Sequence, residues 1–437
     1  TDGPVAVPHL NQLARQGVRF NNAYVSASTC SPSRASMLTG RYNQRFGFEH
    51  QLHERYLRNR MEYYGFKYII ESDPWVPQYA DSVPAESFMK EMGMPLSEIM
   101  IPEILTKQGY HSGYVGKWHV GKKSENSPNA FGYQEFYGFT SSHTLYVPEG
   151  TPGYVDMKIP DDFTDDYIWN GQRDGLHAIQ RNGAVIEEDR YMTSAITDES
   201  IAYMDTYGDQ PFHLHVSYTS PHTPLQAPEE YVEMFADEAD PVKRVHYAMI
   251  KNLDDEIGRL LDYLDKNELS DNTLVFLISD NGGAEYNLTT RNGMYQGGKI
   301  TNFEGGVKVP MLMRWPGHIP SGIDYDYPVH ATDMFVTTVA AGAGILPDDR
   351  IYDGTDLTQV LTEGIPAHEY IYFKMGFNGG IRNLEWKLTW NEDNGDSILF
   401  HLDNDPYEQH NLYHQGHPAV EPLVDAFNIW AENNKSP

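Results

Sequence analysis

The chain of 437 residues has one cysteine, in the run Cys30-Ser31-Pro32-Ser33-Arg34-Ala35-Ser36-Met37-Leu38, followed by Thr39-Gly40-Arg41. A Pro near the start and a Gly just past the end mark a short helix. Cys30 therefore falls at a helix N-terminus, where backbone N–H groups and the dipole favour an anion. Arg34, one turn in, adds a guanidinium able to grip an oxyanion through two hydrogen bonds. This set suits a sulfur nucleophile beside an anion pocket. A lone cysteine also suits a small buried apolar side chain, and the local sequence leaves both readings open.

Four further places carry chemistry. Lys117 and His119 follow the strand-like His111 to Gly116, and two residues apart in an extended segment they would share one side; a solvated Lys would look the same. His222 sits between Pro221 and Pro224, after the strand-like Phe212 to Tyr218. Prolines restrict the backbone on both sides, which suits a histidine held for proton transfer and equally an idle loop histidine. Asp280-Asn281-Gly282-Gly283 follows the apolar run Thr273 to Ser279. A carboxylate and an amide oxygen side by side suit a hard divalent cation such as Ca²⁺, although D-N-G is also a common turn. Lys299 lies in a glycine-rich loop, Gly297-Gly298-Lys299 to Gly305-Gly306, where the backbone can approach a ligand closely.

Strands alternating with helices imply a mostly parallel sheet covered on both faces. Ligands of such sheets bind at the carboxyl ends of the strands. That rule alone brings the loops at 117–119, 222 and 280–281 to one edge, with Cys30 at the same edge.

The motifs Cys30-Ser31-Pro32-Ser33-Arg34, Leu38-Thr39-Gly40-Arg41, Gly116-Lys117-Trp118-His119, "SPHTPLQAP" around His222, Asp280-Asn281-Gly282 and "GGKITNFEGGVKVP" resemble the type I, Cys-type sulfatases, an arylsulfatase-like family, through nearly the whole chain. The resemblance implies an α/β, alkaline-phosphatase-like sandwich. Its large, mostly parallel central sheet is flanked by helices, and a small antiparallel C-terminal sheet subdomain follows. It implies oxidation of Cys30 to formylglycine (3-oxoalanine) by a formylglycine-generating or anaerobic sulfatase-maturating enzyme. It also implies one Ca²⁺ held by Asp280, Asn281 and the modified Cys30. Catalytic roles would fall to Cys30, Arg34, Lys117, His119, His222 and Lys299: His222 with Lys299 protonates the leaving alcohol, and His119 takes a proton in the later elimination. The implied reaction is hydrolysis of sulfate esters on a polysaccharide or oligosaccharide. A phosphodiester or phosphonate monoester hydrolase with the same apparatus, or a non-catalytic carbohydrate-binding protein, are the alternatives. The family also places an apolar strand ending in two adjacent aspartates before the first helix. Here Asp2 stands alone with no strand before it, so either the chain lacks an N-terminal piece, and with it a strand from the middle of its sheet, or the metal site is incomplete.

The length allows two or three domain-sized units. The expected division is a catalytic α/β domain over 1–345, with insertions near 47–93 and 146–180, and a C-terminal subdomain over 346–437. The first insertion is rich in Tyr, His, Arg and Trp and reads as a surface excursion or an aromatic wall for a sugar. The formal net charge of −30 argues against nucleic acid and anionic membranes as partners. It would also repel a polyanionic substrate unless a local basic pocket reverses the field. No apolar run nears the roughly 20 residues of a membrane span. The given residues begin abruptly at Thr1-Asp2-Gly3 with no signal peptide read among them, as expected where one is removed or was never included, and the family resemblance implies a periplasmic or extracellular protein. Helices are expected from Ser97, capped by its side chain, to Gly109, and over 193–207, 241–266, 331–341 and 422–430. Asp254, Asp255 and Glu256 read as a mainly solvated helix face.

Overall fold

Three strands, His111–Lys117, Glu135–Phe139 and Phe212–Ser217, run parallel with the first in the middle. Their side chains pack against neighbours on both faces, as in a sheet covered twice. Tyr114 packs with Ala35 and Leu38 of the helix Cys30–Thr39, while the next residue, Val115, packs with Ile196 and Met249 from two helices on the other side. Two short antiparallel strands, Gln180–Arg181 and Ala184–Val185, extend this sheet outward. The computed structural model describes residues 3–52, 93–159, 165–285, 290–376, 378–392 and 395–434. Most of the expected 47–93 insertion lies outside the described residues. The 146–180 stretch contributes a strand, Tyr154–Met157, antiparallel to Leu225–Pro228 beyond His222.

A second group of strands runs in the order Val275–Ile278, Met311–Arg314, Val18–Phe20, Ile323–Tyr325. The apolar run expected to be a buried parallel strand is shorter than its sequence suggested, and its ladder partner, Met311–Arg314, is antiparallel. It is also only half-buried. The reason lies on its other side. Val275–Ile278 and Phe212–Ser217 each pair along one edge only among the described residues. Their other edges line one cavity of about 1380 Å³, with Leu253, Ile257 and Leu261 of the helix Pro241–Lys266 also in its wall. Two rows of backbone donors and acceptors thus line the cavity beside an apolar floor.

The C-terminal subdomain is an antiparallel meander of Ile371–Met375, Asn378–Arg382, Trp386–Asn391 and Ser397–His401. The helix Val420–Asn433 covers it through Leu423, Phe427 and Trp430, with Trp430 stacked on Tyr372 at 4.8 Å. The first strand of this meander ends against the cysteine loop, where Thr29 donates to the sulfur of Met375 at 3.1 Å.

Two local readings are corrected. Ser97 does not cap a helix; the helix is Ile101–Leu105, and Glu103 accepts from the Met100 backbone N–H at 2.8 Å. Asp254 is not solvated. It is fully buried and accepts from the backbone N–H groups of His9 and Leu10 at 3.3 and 2.9 Å, at the start of the helix Pro8–Gln16. That helix has no side-chain cap of its own at Val7, so a carboxylate 244 residues away does the capping. Asp254→Ala should destabilise the protein by about 1–2 kcal/mol. The check is urea denaturation, where the midpoint falls at unchanged slope; an unmoved midpoint would show that the cap contributes nothing.

Candidate functional site

All ten residues of the helix Cys30–Thr39 are buried. Such burial is possible because most of them are small. Ser36 exchanges hydrogen bonds with Ser26 and Asn43 at 2.8 and 3.0 Å, and Thr39 turns its hydroxyl back onto the Ala35 carbonyl at 2.8 Å. Gly40 ends the helix in the left-handed region, and a Cβ there would meet the Phe335 ring at 2.6 Å. The helix therefore lies close against the neighbouring helix Ala331–Ala341, with Cys30 fixed at its first position. The Ser31 backbone N–H donates to Gln51 at 2.9 Å.

Arg34 is the centre of the arrangement. Its Nε donates to Asp280 Oδ2 at 2.7 Å, and another guanidinium nitrogen donates to the Lys117 carbonyl at 2.9 Å and to Ser217 Oγ at 2.8 Å. One side chain thus ties the ends of three strands to the cysteine helix. The sheet permits this approach because Gly116 pairs with Gly138 on one side and Ser217 on the other. Gly116 has φ 115°, and a Cβ on it would lie 2.0 Å from the Ser217 carbonyl oxygen.

Lys117, 2 % exposed, and Lys299, 8 % exposed, both act electrostatically on the Cys30 thiol, and His119 and His222 lie beside it. Burial pushes the thiol pKa up; the Lys117 and Lys299 ammonium groups lead the interactions that outweigh it and hold the pKa well below the usual thiol range. Burial lowers the Lys117 pKa, while the Cys30 sulfur works against that shift. Lys117 and His119 do not lie along one extended segment. His119 has φ 57°, a left-handed turn that swings its ring back to the cysteine.

The two histidines carry different hydrogen-bond patterns. His119 Nε2 faces the Leu52 carbonyl at 2.9 Å, so Nε2 bears the hydrogen. Nδ1 is then a lone pair on the Cys30 side, with no hydrogen-bond partner among the described residues. Burial lowers its pKa to about 4, so the ring is neutral at pH 7. His222 donates from Nδ1 to the Thr223 carbonyl at 2.6 Å, and its Nε2 accepts from Lys299 Nζ at 3.3 Å. Burial, Lys117 and Lys299 all lower its pKa. The resting state is a neutral base at His119 and, at His222, a neutral ring with a lysine proton at its back.

Asp280 and Asn281 lie at the same strand end. Asn281 Oδ1 is buried with no hydrogen-bond partner, while its Nδ2 donates to the Gly282 carbonyl at 2.7 Å. An oriented amide oxygen left without a donor, beside a carboxylate, fits a hard cation. The donors are of the right kind, though two or three oxygens fall short of the six to eight that Ca²⁺ takes. The structure thus brings Cys30, Arg34, Lys117, His119, His222, Lys299, Asp280 and Asn281 into one cluster. Sequence reasoning missed Ser217 and Gln51, because a serine at a strand end and a glutamine in a loop carry no spacing signal.

The family model described as Sulfatase matches residues 1–345. The chain is 28% identical over 378 residues to the N-acetylgalactosamine-6-sulfatase of Mus musculus, an alignment covering 84% of this chain and 64% of that protein. The crystal structure titled Ps i-CgsB superposes with a TM-score of 0.80 at 27% identity, covering 100% of this chain and 89% of the other. The same protein in complex with k-i-k-neocarrahexaose gives 0.81 at 26%, with the same coverage. The chain belongs to the sulfatase family, and its fold is the alkaline-phosphatase-like α/β sandwich with a small C-terminal antiparallel sheet. It spans just under two-thirds of the length of the curated relatives it matches first.

In the chain with Cys30 unmodified, the thiol should ionise well below the ordinary range, and Lys117→Met should move it upward. Ultraviolet thiolate absorbance reads this cleanly because Cys30 is the only cysteine. An unmoved titration in Lys117→Met would show that the lysine is not the cause.

Proposed function

We propose that this chain is a sulfuric ester hydrolase that removes sulfate from a sulfated polysaccharide or oligosaccharide, with Cys30 converted to formylglycine as the nucleophile. The observation that carries the reading is the convergence of Lys117, Lys299, His119 and His222 on the side chain at position 30. A sulfate ester spreads one negative charge over its sulfuryl oxygens, and charge grows on the bridging oxygen as the S–O bond breaks. Fixed ammonium groups in a buried pocket stabilise that charge far better than water does.

Formylglycine, made by a formylglycine-generating or anaerobic sulfatase-maturating enzyme, would supply a hydrated aldehyde, one hydroxyl to attack sulfur and a second to regenerate the aldehyde. Asp280, Asn281 and the modified residue 30 would hold one Ca²⁺, which supplies Lewis-acid polarisation. The remaining work falls to the chain's own side chains. Lys117 and Lys299 bind and orient the sulfuryl oxygens. His119 Nδ1 is placed to take a proton from the residue at position 30. His222, recharged by Lys299 through Nε2, gives a proton to the leaving alcohol. Arg34 keeps Lys117, Ser217 and Asp280 in register and offsets the Asp280 charge.

A carbohydrate is favoured over a small aryl ester by the names of the relatives: an N-acetylgalactosamine-6-sulfatase by sequence, and a structure holding a neocarrahexaose. Extracellular or periplasmic placement is part of the same reading. Among the described residues, no helix is long and apolar enough to cross a membrane.

The matured protein should release sulfate from sulfated oligosaccharides, with phosphate diesters and phosphonate monoesters turned over more slowly in parallel assays. The reverse order would replace this reading by the phosphoryl one. Mass spectrometry of the Cys30 peptide from the native host should show the aldehyde or its hydrate, and an intact thiol would favour a binding protein. His222→Ala should cut turnover of sugar sulfates about 100-fold or more but spare aryl sulfates, whose leaving groups need no proton. Equal losses on both would remove His222 from the acid role.

A further inference from the structure

The C-terminal sheet meets the catalytic core through charges with almost no solvent contact. Lys387 Nζ, on the strand Trp386–Asn391, lies 2.9 Å from Glu304 Oε1 and 2.9 Å from Glu408 Oε1, and the three side chains are 0, 2 and 0 % exposed. Glu408 Oε2 accepts from the Glu304 backbone N–H at 2.6 Å. Glu304 Oε2 accepts from Tyr24 Oη at 2.7 Å, Tyr24 Oη is held in turn by Arg382, and Lys308 Nζ stands 3.8 Å from Glu304. Glu408 adopts φ 59°, a left-handed backbone that a glutamate takes up only at a cost.

A buried ion network of this kind adds little net stability over apolar packing of the same volume. What it does supply is direction, and Glu304 begins the turn Glu304–Val307. Backbone hydrogen bonds fasten that turn to the loops bearing Lys299 and Gly282, and those loops to one another and to the cysteine loop. Gly305 N–H donates to Gln296 at 2.8 Å, and Gly282 N–H to Gly306 at 3.0 Å. Lys299 N–H donates to Gly283 at 2.9 Å, and Ile300 N–H to Ser28 at 2.9 Å. The three loops touch backbone to backbone. A Cβ on Gly282 would lie 1.7 Å from the Gly305 oxygen, and one on Gly305 would lie 1.9 Å from the Gly297 oxygen. No side chain stands between them to absorb a shift.

We propose that Lys387, gripped between Glu304 and Glu408, is a positioning residue through which the C-terminal sheet holds the Lys299 loop and the Asp280–Gly282 loop in working register. The proposal deepens the sulfatase reading but depends on it only for its kinetic arm. The groups facing the pair are Lys387, Tyr24, Arg382 and Lys308. Burial pushes Glu408 up to about 7 and the Glu304 charge adds to this, while Lys387 pulls it down. Glu304 sees more cations and stays ionised, so the pair keeps one proton that two free glutamates would lose. A raised carboxyl pKa stabilises the fold fully below its unfolded value, and that contribution is lost as pH rises through about 7. The grip should therefore loosen on the alkaline side.

The test is hydrogen–deuterium exchange of the full chain, wild type against Lys387→Met, with Glu408→Gln as a milder variant should the first not fold. Peptides covering 282–283 and 296–306 should exchange about tenfold faster in Lys387→Met, while 111–118 is unchanged. No change, or equal acceleration of 111–118, would overturn the proposal. In Glu408→Gln, which cannot ionise, the excess exchange of those loops should be flat between about pH 5 and pH 8, where that of wild type rises; matching profiles would remove Glu408 from the device. In matured protein at a temperature where both forms are fully folded, Lys387→Met should lower kcat about tenfold with a smaller change in KM. An unchanged kcat would reduce Lys387 to a purely structural role and overturn the proposal. A wild type that releases no sulfate from any ester would sink the sulfatase reading, and the exchange data would still decide the network.

Discussion

A single guanidinium holds this site together. Arg34 reaches from the cysteine helix to the Lys117 carbonyl, Ser217 and Asp280, which belong to three different strand ends. Buried 8 % exposed, it can persist as a cation only because a carboxylate and two oxygens of fixed geometry satisfy it. The constraint runs both ways. The strand ends must converge to within hydrogen-bond reach of one side chain, and convergence puts Lys117, His222 and Asp280 around position 30. Glycine at 116 and 138 removes the Cβ atoms that would keep the strands apart.

The electrostatics of the molecule are divided by location. The chain carries −30 overall, yet the cleft concentrates Arg34, Lys117 and Lys299 around Asp280. An acidic surface of this kind weakens long-range attraction for anions, while short-range Coulomb forces in a desolvated pocket are several times stronger than in water. Selectivity therefore falls to contact distance. The same desolvation keeps His119 and His222 neutral at rest, which leaves one lone pair facing the cysteine and one facing Lys299 as separate proton paths.

Long-range contacts decide where the site's parts sit. Asp254 caps a helix at the other end of the sequence, and the C-terminal meander reaches the core through Lys387 and Glu408 and the cysteine loop through Met375. Among the described residues, Phe212–Ser217 and Val275–Ile278 face one another across the cavity, and the loop at 280–281 leaves from the second of them. The Gly305–Gly306 contacts and Arg34 hold that loop.

The sequence alone determined the local pieces. The apolar stripe set the long helix Pro241–Lys266, Gly40 ended the cysteine helix, and the apolar runs before Lys117, His222 and Asp280 marked strand ends. These follow from periodicity and turn chemistry, which act over a few residues. The clustering of the loops at one edge was also legible, because parallel strands present their carboxyl ends together. The rest was settled only by the tertiary structure. Ser217, Gln51 and Glu304 bear no local signal, since their meaning lies in partners 20 to 183 residues distant. Asp254 read as solvated because its helix face is polar, and only the packing of the helix Pro8–Gln16 against it turned that carboxylate inward. The antiparallel pairing of Val275–Ile278 was likewise hidden, since an apolar run states that a strand is covered but not which neighbour covers it.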